Sequence, residues 1–365
     1  MTGASQDPKS ALRQCWSRVF ARLEDPKYIS EFPSEESMYV NFFLLCAFDD
    51  FDLTLQRFLR ARKFHLEQST DMLMNAISWR ASIGLRDIML QGEAGLNEMM
   101  IKASMYFIWG QDKAGRPIVF LNMHNFIPPR SEKETVELRA VVLYAMENAR
   151  LFLDSEQNTS HGVLGLADLS SFARKNIDLE FSRIFIEIFQ NYFPEILGKA
   201  LVVGSGLRMA LFEGVWRFGK YFMDPEVRKK VSFCRPNQLT EYVDTEFIPI
   251  SLGGHFDEAK LYELDQRNPL RHEEVSRTPS AKTIAELDGE FIDASKKFIA
   301  LTREWIYAEG KPTEAKIEAE RNALKKQCKL LWRKEIAVRP LNLYQRLGLI
   351  DPKGIVNWDK ARTMV

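Results

Sequence analysis

The stretch SMYFIWGQDKAGRPIVFLN at positions 104–122 holds two short runs rich in aromatic and β-branched residues, Ser104–Trp109 and Pro117–Asn122. Between them lies the polar segment Asp112-Lys113-Ala114-Gly115-Arg116-Pro117. Runs of this composition around a Gly- and Pro-containing turn predict a β-hairpin. Three further strand-like runs follow, Gly162–Asp168, Lys199–Gly204 and Val231–Cys234, each separated from the next by a long amphipathic segment. The first of these segments opens on a capping box, Ser131 with Glu134, and then sets Val141, Val142, Ala145, Met146, Ala149, Phe152 and Leu153 along one wide helical face. Strands alternating with helices of this length predict an α/β layer fold between Ala103 and Gly254.

Upstream of the hairpin, from Leu12 to Met100, apolar residues recur at helical spacing, as in Leu53, Leu55, Phe58 and Leu59 and again in Met72, Leu73, Ala76 and Ile77. This part is expected to be a helical module. Beyond Gly253-Gly254 the chain turns polar, and Gln266–Lys282, with Pro269 and Pro279, reads as a surface linker. Two more helices are expected near Ile284–Glu309 and Pro312–Ile336, followed by a tail containing Pro340. The expected organisation is therefore 1–100, a helical N-terminal module; 101–262, the α/β domain; and 263–365, a linker with a helical extension.

Several function classes are disfavoured by bulk properties. Lys+Arg and Asp+Glu each number 50, so the formal charge is zero and no global basic field draws the chain to nucleic acid. The four cysteines, Cys15, Cys46, Cys234 and Cys328, are far apart, which argues against a disulfide scaffold or a zinc site and fits a reducing cytoplasm. Lys9, Arg13, Arg18 and Arg22 interrupt the N-terminus, against a secretory signal. The most apolar early stretch, Met38–Phe48, is about 11 residues long, short of the ~20 that span a bilayer.

Motifs for catalysis are weak. Gly204-Ser205-Gly206 sits between an expected strand and helix, but Met209 occupies the third glycine position of a dinucleotide fingerprint. Val203 replaces the first glycine of a hydrolase elbow. His65, His124, His161, His255 and His272 have neither metal-ligand nor triad spacing and read as lone surface residues. We expect no enzyme activity, cofactor or metal. More telling is Met209–Met223, which carries Leu211, Phe212, Val215, Trp216, Phe218, Tyr221 and Phe222 against the charges Glu213, Arg217 and Lys220. Two readings stand: a buried core helix, or a helix over an apolar cavity that enters the membrane interface when it opens. Asp224-Pro225 starts a short helical turn with Lys229 and Lys230 at its end, and Phe193-Pro194-Glu195 leaves a carboxylate beside an apolar strand. Arg57, Arg60, Arg62 and Lys63 crowd a helix end, where cations simply complementing the dipole are the plain alternative.

Taken together these segments resemble the CRAL-TRIO lipid-transfer family. The run Leu55-Gln56-Arg57-Phe58-Leu59-Arg60-Ala61-Arg62-Lys63-Phe64, followed by Trp79-Arg80, is similar to its helical N-terminal module. The Asp112–Pro117 turn, Asp168-Leu169, Asn191-Tyr192-Phe193-Pro194-Glu195, the Asp224-Pro225 turn with Lys230 and Leu252-Gly253-Gly254 match its lipid-binding domain in order. Leu301–Ile306 and the tail at Pro340–Gly348 resemble a fungal branch. The resemblance implies a mixed sheet of about five strands flanked by helices, with an apolar cavity closed by a gate helix carrying Phe212, Val215, Trp216, Tyr221 and Phe222.

It also implies a phosphatidylinositol headgroup site at Arg62, Glu195 and Lys230, where cations meet a phosphodiester and a carboxylate meets inositol hydroxyls. Neighbouring positions that often hold arginine and threonine in the family are Ile196 and Val227 here. The family's phosphatidylcholine site, built on tyrosines and a Ser/Thr pair in its founding yeast member, is replaced by Ile108, Val119, Val163 and Gly165. Without those hydroxyls a buried choline phosphate would be left unpaired, so the expected second ligand is less polar, a sterol or isoprenoid. The implied function is exchange of phosphatidylinositol and this second lipid between membranes, with transient membrane contact. The alternative is a lipid-gated scaffold for a lipid kinase, docking through the basic helix with Lys316, Arg321, Lys325, Lys326, Lys329, Arg333 and Lys334.

Overall fold

Asp50 caps the helix Phe51–Ala61, accepting hydrogen bonds from Asp52 N at 2.7 Å and Leu53 N at 3.3 Å, and so places Asp52 in its buried first turn. The structure, a computed structural model, describes residues 7–102, 105–153, 162–268 and 277–363. It divides into two compact units, 1–87 with 279–338 and 88–278 with 339–365. The Gln266–Lys282 linker expected from the sequence falls partly at 269–276, outside the described residues, as do His161 and His272.

The first unit is helical. Pro8–Leu23, Glu35–Cys46, Phe51–Ala61 and Leu66–Ser82 pack together with two long C-terminal helices, Ala281–Tyr307 and Glu314–Val338. The longer of these buries Leu287, Phe291, Ser295, Phe298, Thr302 and Trp305, a spacing of three and four that keeps one face inward. Phe298 stacks on Phe51 at 4.0 Å and Phe291 on Phe43 at 4.4 Å. A charged knot joins the two halves of this unit. Asp52 accepts hydrogen bonds from Trp16 Nε1 at 2.8 Å, from both terminal nitrogens of Arg321 at 2.5 Å and from Lys325 Nζ at 2.8 Å, while Arg321 Nε donates to Thr302 Oγ1 at 2.8 Å. This corrects the expected docking face on the 314–338 helix. Arg321 and Lys329 are buried and Lys325 is turned toward Asp52, so the basic residues do not form one solvated surface.

The second unit is built on five strands: β1 (Tyr106–Gln111), β2 (Pro117–Asn122), β3 (Val163–Asp168), β4 (Leu197–Val203) and β5 (Val231–Cys234). They lie in the order β1-β2-β3-β4-β5, with β1 and β2 antiparallel and all later pairs parallel. The hairpin and the mixed sheet are as the sequence predicts. Within the turn, Asp112 Oδ1 accepts from Ala114 N and Arg116 N, and Oδ2 accepts from Arg116 Nε at 2.8 Å. Helices Glu132–Leu151, Leu179–Tyr192 and Gly206–Gly219 make the three parallel crossovers. Ser131 caps the first of them, accepting from Glu134 N, while Glu134 reaches back to Arg130 N. The tail closes over the hairpin: Ile108 N donates to Tyr344 Oη at 2.9 Å, and Arg346 grips Asp265 through two nitrogens, at 2.6 and 2.9 Å, and Glu93 at 2.8 Å.

Removing one partner of the buried Asp52–Arg321 pair strands the other charge, so Arg321→Met is expected to destabilise the helical unit by roughly 3–5 kcal/mol in urea unfolding; a loss under about 1 kcal/mol contradicts the assignment. Burial alone would raise the Asp52 carboxyl, but the Arg321 hydrogen bonds and charge, with Lys325, outweigh it and hold the group down at about 2. A carboxyl depressed on folding adds stability above its unfolded value, and that stability drains away as pH falls from about 4 to about 2. Asp52→Asn should flatten the stability profile over this window; an unchanged slope would show that Asp52 is not its source.

Candidate functional site

The register of the sheet sorts its side chains onto two unlike faces. Phe107, Phe120, Leu164, Leu166, Leu201 and Val203 share one face and are all essentially inaccessible. On the other face Ile108 pairs with Val119, Val119 with Gly165, Gly165 with Ala200 and Ala200 with Val231. Val163 lies two residues before Gly165 and so shares that face. Ile108, Val119, Val163 and Gly165 are thus brought to one face of the sheet. Ile108, Val163 and Gly165 are buried, but Val119, Leu121, Ala167, Ala200 and Val231 are only half-buried. Apolar strand residues in the middle of a largely parallel sheet are ordinarily buried on both faces.

The Gly206–Gly219 helix lies over this second face. Met209, Leu211 and Phe212 pack on Leu169, Phe172 and Val202, and Trp216 meets Phe233 of β5 edge-on at 5.7 Å. Fourteen residues of helix span about 21 Å, close to the roughly 23 Å of seven-residue β4, so the helix runs the length of the strand it follows. None of its residues is buried. Beside the half-buried Val215 and Trp216, Leu207 is 87% exposed, Phe218 64%, and in the following turn Tyr221 is 75% and Phe222 50% exposed. Of the two readings of Met209–Met223, the fully buried core helix does not hold, since no residue of the 206–219 helix is buried.

Charged groups gather at the other end of the strands, where β4 and β5 begin. Lys230 Nζ lies 3.3 Å from Glu195 Oε1 and donates to Leu197 O at 2.8 Å. Both side chains keep about a quarter of their surface accessible. Glu195 sits in left-handed backbone, φ 59°, in the turn that drops from the Leu179–Tyr192 helix into β4. Gly162, itself at φ 81°, lets that turn approach: a Cβ there would meet Ile196 O at 2.3 Å. Asp224 caps the short Pro225–Lys229 helix by accepting from Glu226 N at 2.8 Å, which sets Lys230 at the mouth of β5. Arg62, the third expected headgroup residue, belongs to the helical unit, at the C-cap of Phe51–Ala61, half-buried, and is followed by Lys63 at φ 51° and Phe64 at φ 63°. Of the histidines, His65 and His255 are exposed as expected, but His124 is half-buried.

Sequence reasoning missed Gln190. Its side-chain amide donates to Phe222 O at 3.1 Å and accepts from Asp224 N at 3.0 Å, bridging the 179–192 helix to the turn after the 206–219 helix. Set among Glu187 and Asn191 in FIEIFQNY, Gln190 carried no signal that marked it out from its polar neighbours.

Among the described residues no helix is long and apolar enough to cross a membrane. Residues 101–254 match the CRAL/TRIO domain and residues 17–75 the CRAL/TRIO N-terminal domain. A CRAL-TRIO domain-containing protein of Schizosaccharomyces pombe is 62% identical over 361 residues, 99% of this chain and 100% of that protein. The phosphatidylinositol transfer protein CSR1 of Eremothecium gossypii is 31% identical over 56% of this chain and 47% of its own length. The Sec14 cytosolic factor of Schizosaccharomyces pombe is 28% identical over 61% of this chain and 81% of that protein. With this fold, an apolar sheet face under an unburied helix and a family match at both domains, the chain belongs to the CRAL-TRIO family of lipid-binding proteins.

Proposed function

We propose that the protein carries phosphatidylinositol and a second, less polar lipid between membranes, working from the cytoplasm with transient contact at the membrane surface and without covalent chemistry. The observation that carries this reading is where the backbone is strained. Among the described residues three non-glycine residues adopt left-handed φ: Glu195, a predicted headgroup residue, and Lys63 and Phe64, which directly follow another, Arg62. Each such conformation costs on the order of 1–3 kcal/mol, and strain of this kind persists where a side chain must be aimed. The relative named a phosphatidylinositol transfer protein supports the same ligand.

The mechanism follows from solvation. Two acyl chains hold on the order of 30 methylenes, each about 0.8 kcal/mol unfavourable in water, so a lipid does not leave through solvent. Moving the chains from a bilayer onto an apolar protein face is close to neutral, so a cover that opens at the membrane suffices. Met209–Met223, the 206–219 helix with the turn that follows it, is that gate, with Phe212, Val215, Trp216, Tyr221 and Phe222 as its apolar residues. Lys230 donates to the phosphate and Glu195 accepts from inositol hydroxyls, while Arg62 of the helical unit is a further cation of the kind a phosphate takes. Ile108, Val119, Val163 and Gly165 offer no hydroxyl to a choline phosphate, and the face they share suits a sterol or isoprenoid.

Vesicle-to-vesicle transfer of labelled phosphatidylinositol tests the clamp. Lys230→Ala should lower the rate by about ten- to a hundredfold, the value of a hydrogen bond to a charged group, while sparing a labelled sterol; equal loss of both with an unchanged fold refutes the clamp. Glu195→Gly separates role from stability: glycine accepts φ 59° without strain, so stability should hold within about 1 kcal/mol while phosphatidylinositol transfer falls. Transfer of phosphatidylcholine at the phosphatidylinositol rate would rule out the less polar second ligand.

A further inference from the structure

The two ends of the gate are fixed by different physics. At its start, Met209, Leu211 and Phe212 are held by packing on Leu169, Phe172 and Val202. Just before them Gly206 turns through φ 57° with nothing within 4 Å of where a Cβ would be, and Ser205 makes no side-chain cap. The chain can swivel there without a clash. At its far end, Lys220–Met223 forms successive turns, and Tyr221 and Phe222 point into solvent, so little apolar burial holds this end down. What ties it to the domain is polar. Gln190 uses both ends of its amide, donating to Phe222 O and accepting from Asp224 N, and Arg228 Nη2 donates to Met223 O at 3.2 Å.

Resting on the carrier reading above, we propose that Gln190 is the latch of the gate, a positioning residue whose two hydrogen bonds hold the far end of the 206–219 helix closed and set how often it opens. Its location couples the latch to the headgroup. Gln190 lies on the helix that runs into Glu195, and its partner Asp224 caps the short helix that runs into Lys230. The segments 190–195 and 222–230 are thus bridged twice, by Gln190 at one place and by the Glu195–Lys230 pair at the other. A phosphate that draws Lys230 away from Glu195 loosens the second bridge and leaves the first to keep the gate shut over the bound lipid. The partners of the latch are main-chain groups, so it depends on the amide at position 190 and not on the side chains of 222 or 224.

Backbone hydrogen exchange on the full chain, read by mass spectrometry without added lipid, tests the latch independently of any ligand. Gln190→Ala should speed exchange of peptides spanning 219–224 by about tenfold, as expected for the net loss of one to two ordinary hydrogen bonds, with an unchanged thermal midpoint and unchanged protection in the strands. Gln190→Glu keeps the acceptor for Asp224 N but cannot donate to Phe222 O, so its effect should be intermediate. The same variants should transfer pyrene-labelled phosphatidylinositol between phosphatidylcholine vesicles faster than the wild type. Unchanged exchange at 219–224 in Gln190→Ala, or loss of protection spread evenly over the domain, overturns the latch. Wild-type protein that transfers no labelled phosphatidylinositol overturns the carrier reading instead, and the lipid-free exchange experiment still decides the latch.

Discussion

Everything in the α/β unit turns on the unequal covering of one sheet. Its first face is sealed by Phe107, Phe120, Leu164 and Leu166, while its second presents Val119, Leu121, Ala167 and Ala200 without sealing them. An apolar surface that the protein does not cover itself is an unfavourable one until something else covers it. Small residues lie at the centre of that face, Gly165 opposite Ala200, with Leu197 Cδ1 3.4 Å from where a Cβ of Gly165 would stand. As the proposed gate, the 206–219 helix answers the same constraint: it would shield the face when a lipid is bound, yet not bury itself so well that it cannot lift. Packing at one end and hydrogen bonds at the other satisfy both needs.

The proposed headgroup site follows a second division of labour. Apolar chains give affinity without selectivity, since every lipid has them, so selectivity must come from a few charged groups where the strands begin. Lys230 and Glu195 stand there as a partly accessible ion pair, an arrangement that adds little to stability and exchanges readily for ligand contacts. The buried knot of Asp52, Arg321 and Lys325 is the opposite case. It is enclosed, fully hydrogen-bonded and structural, tying the last long helix to the first turn of Phe51–Ala61.

Local chemistry made much of this legible in the sequence. Pro117 and the Asp112–Arg116 turn bound β2 at Pro117–Asn122, and Val231–Cys234 is likewise the strand its composition suggested. β1 starts at Tyr106, and β4 begins at Leu197, two residues before the expected start, because it joins the ladder at Val163, whose N donates to Ile196 O at 2.7 Å. Long-range polar pairing was not legible. Nothing in the basic run of the last helix distinguishes Arg321, buried on Asp52, from Lys316 in solvent, because the partner lies 269 residues away. Nor did the sequence announce the left-handed turn at Glu195, where Gly or Asn would be the usual sign. Met209–Met223 was ambiguous for a simpler reason: an apolar stretch looks the same in sequence whether it is buried or, like this one, left unburied.

Mass spectrometry of the organic extract from purified protein, beside Lys230→Ala prepared identically, tests the central claim most directly. The account predicts phosphatidylinositol in the first extract, its loss from the second, and no stoichiometric phosphatidylcholine in either. Phosphatidylinositol retained at equal level in Lys230→Ala, or absent from both extracts, would contradict it.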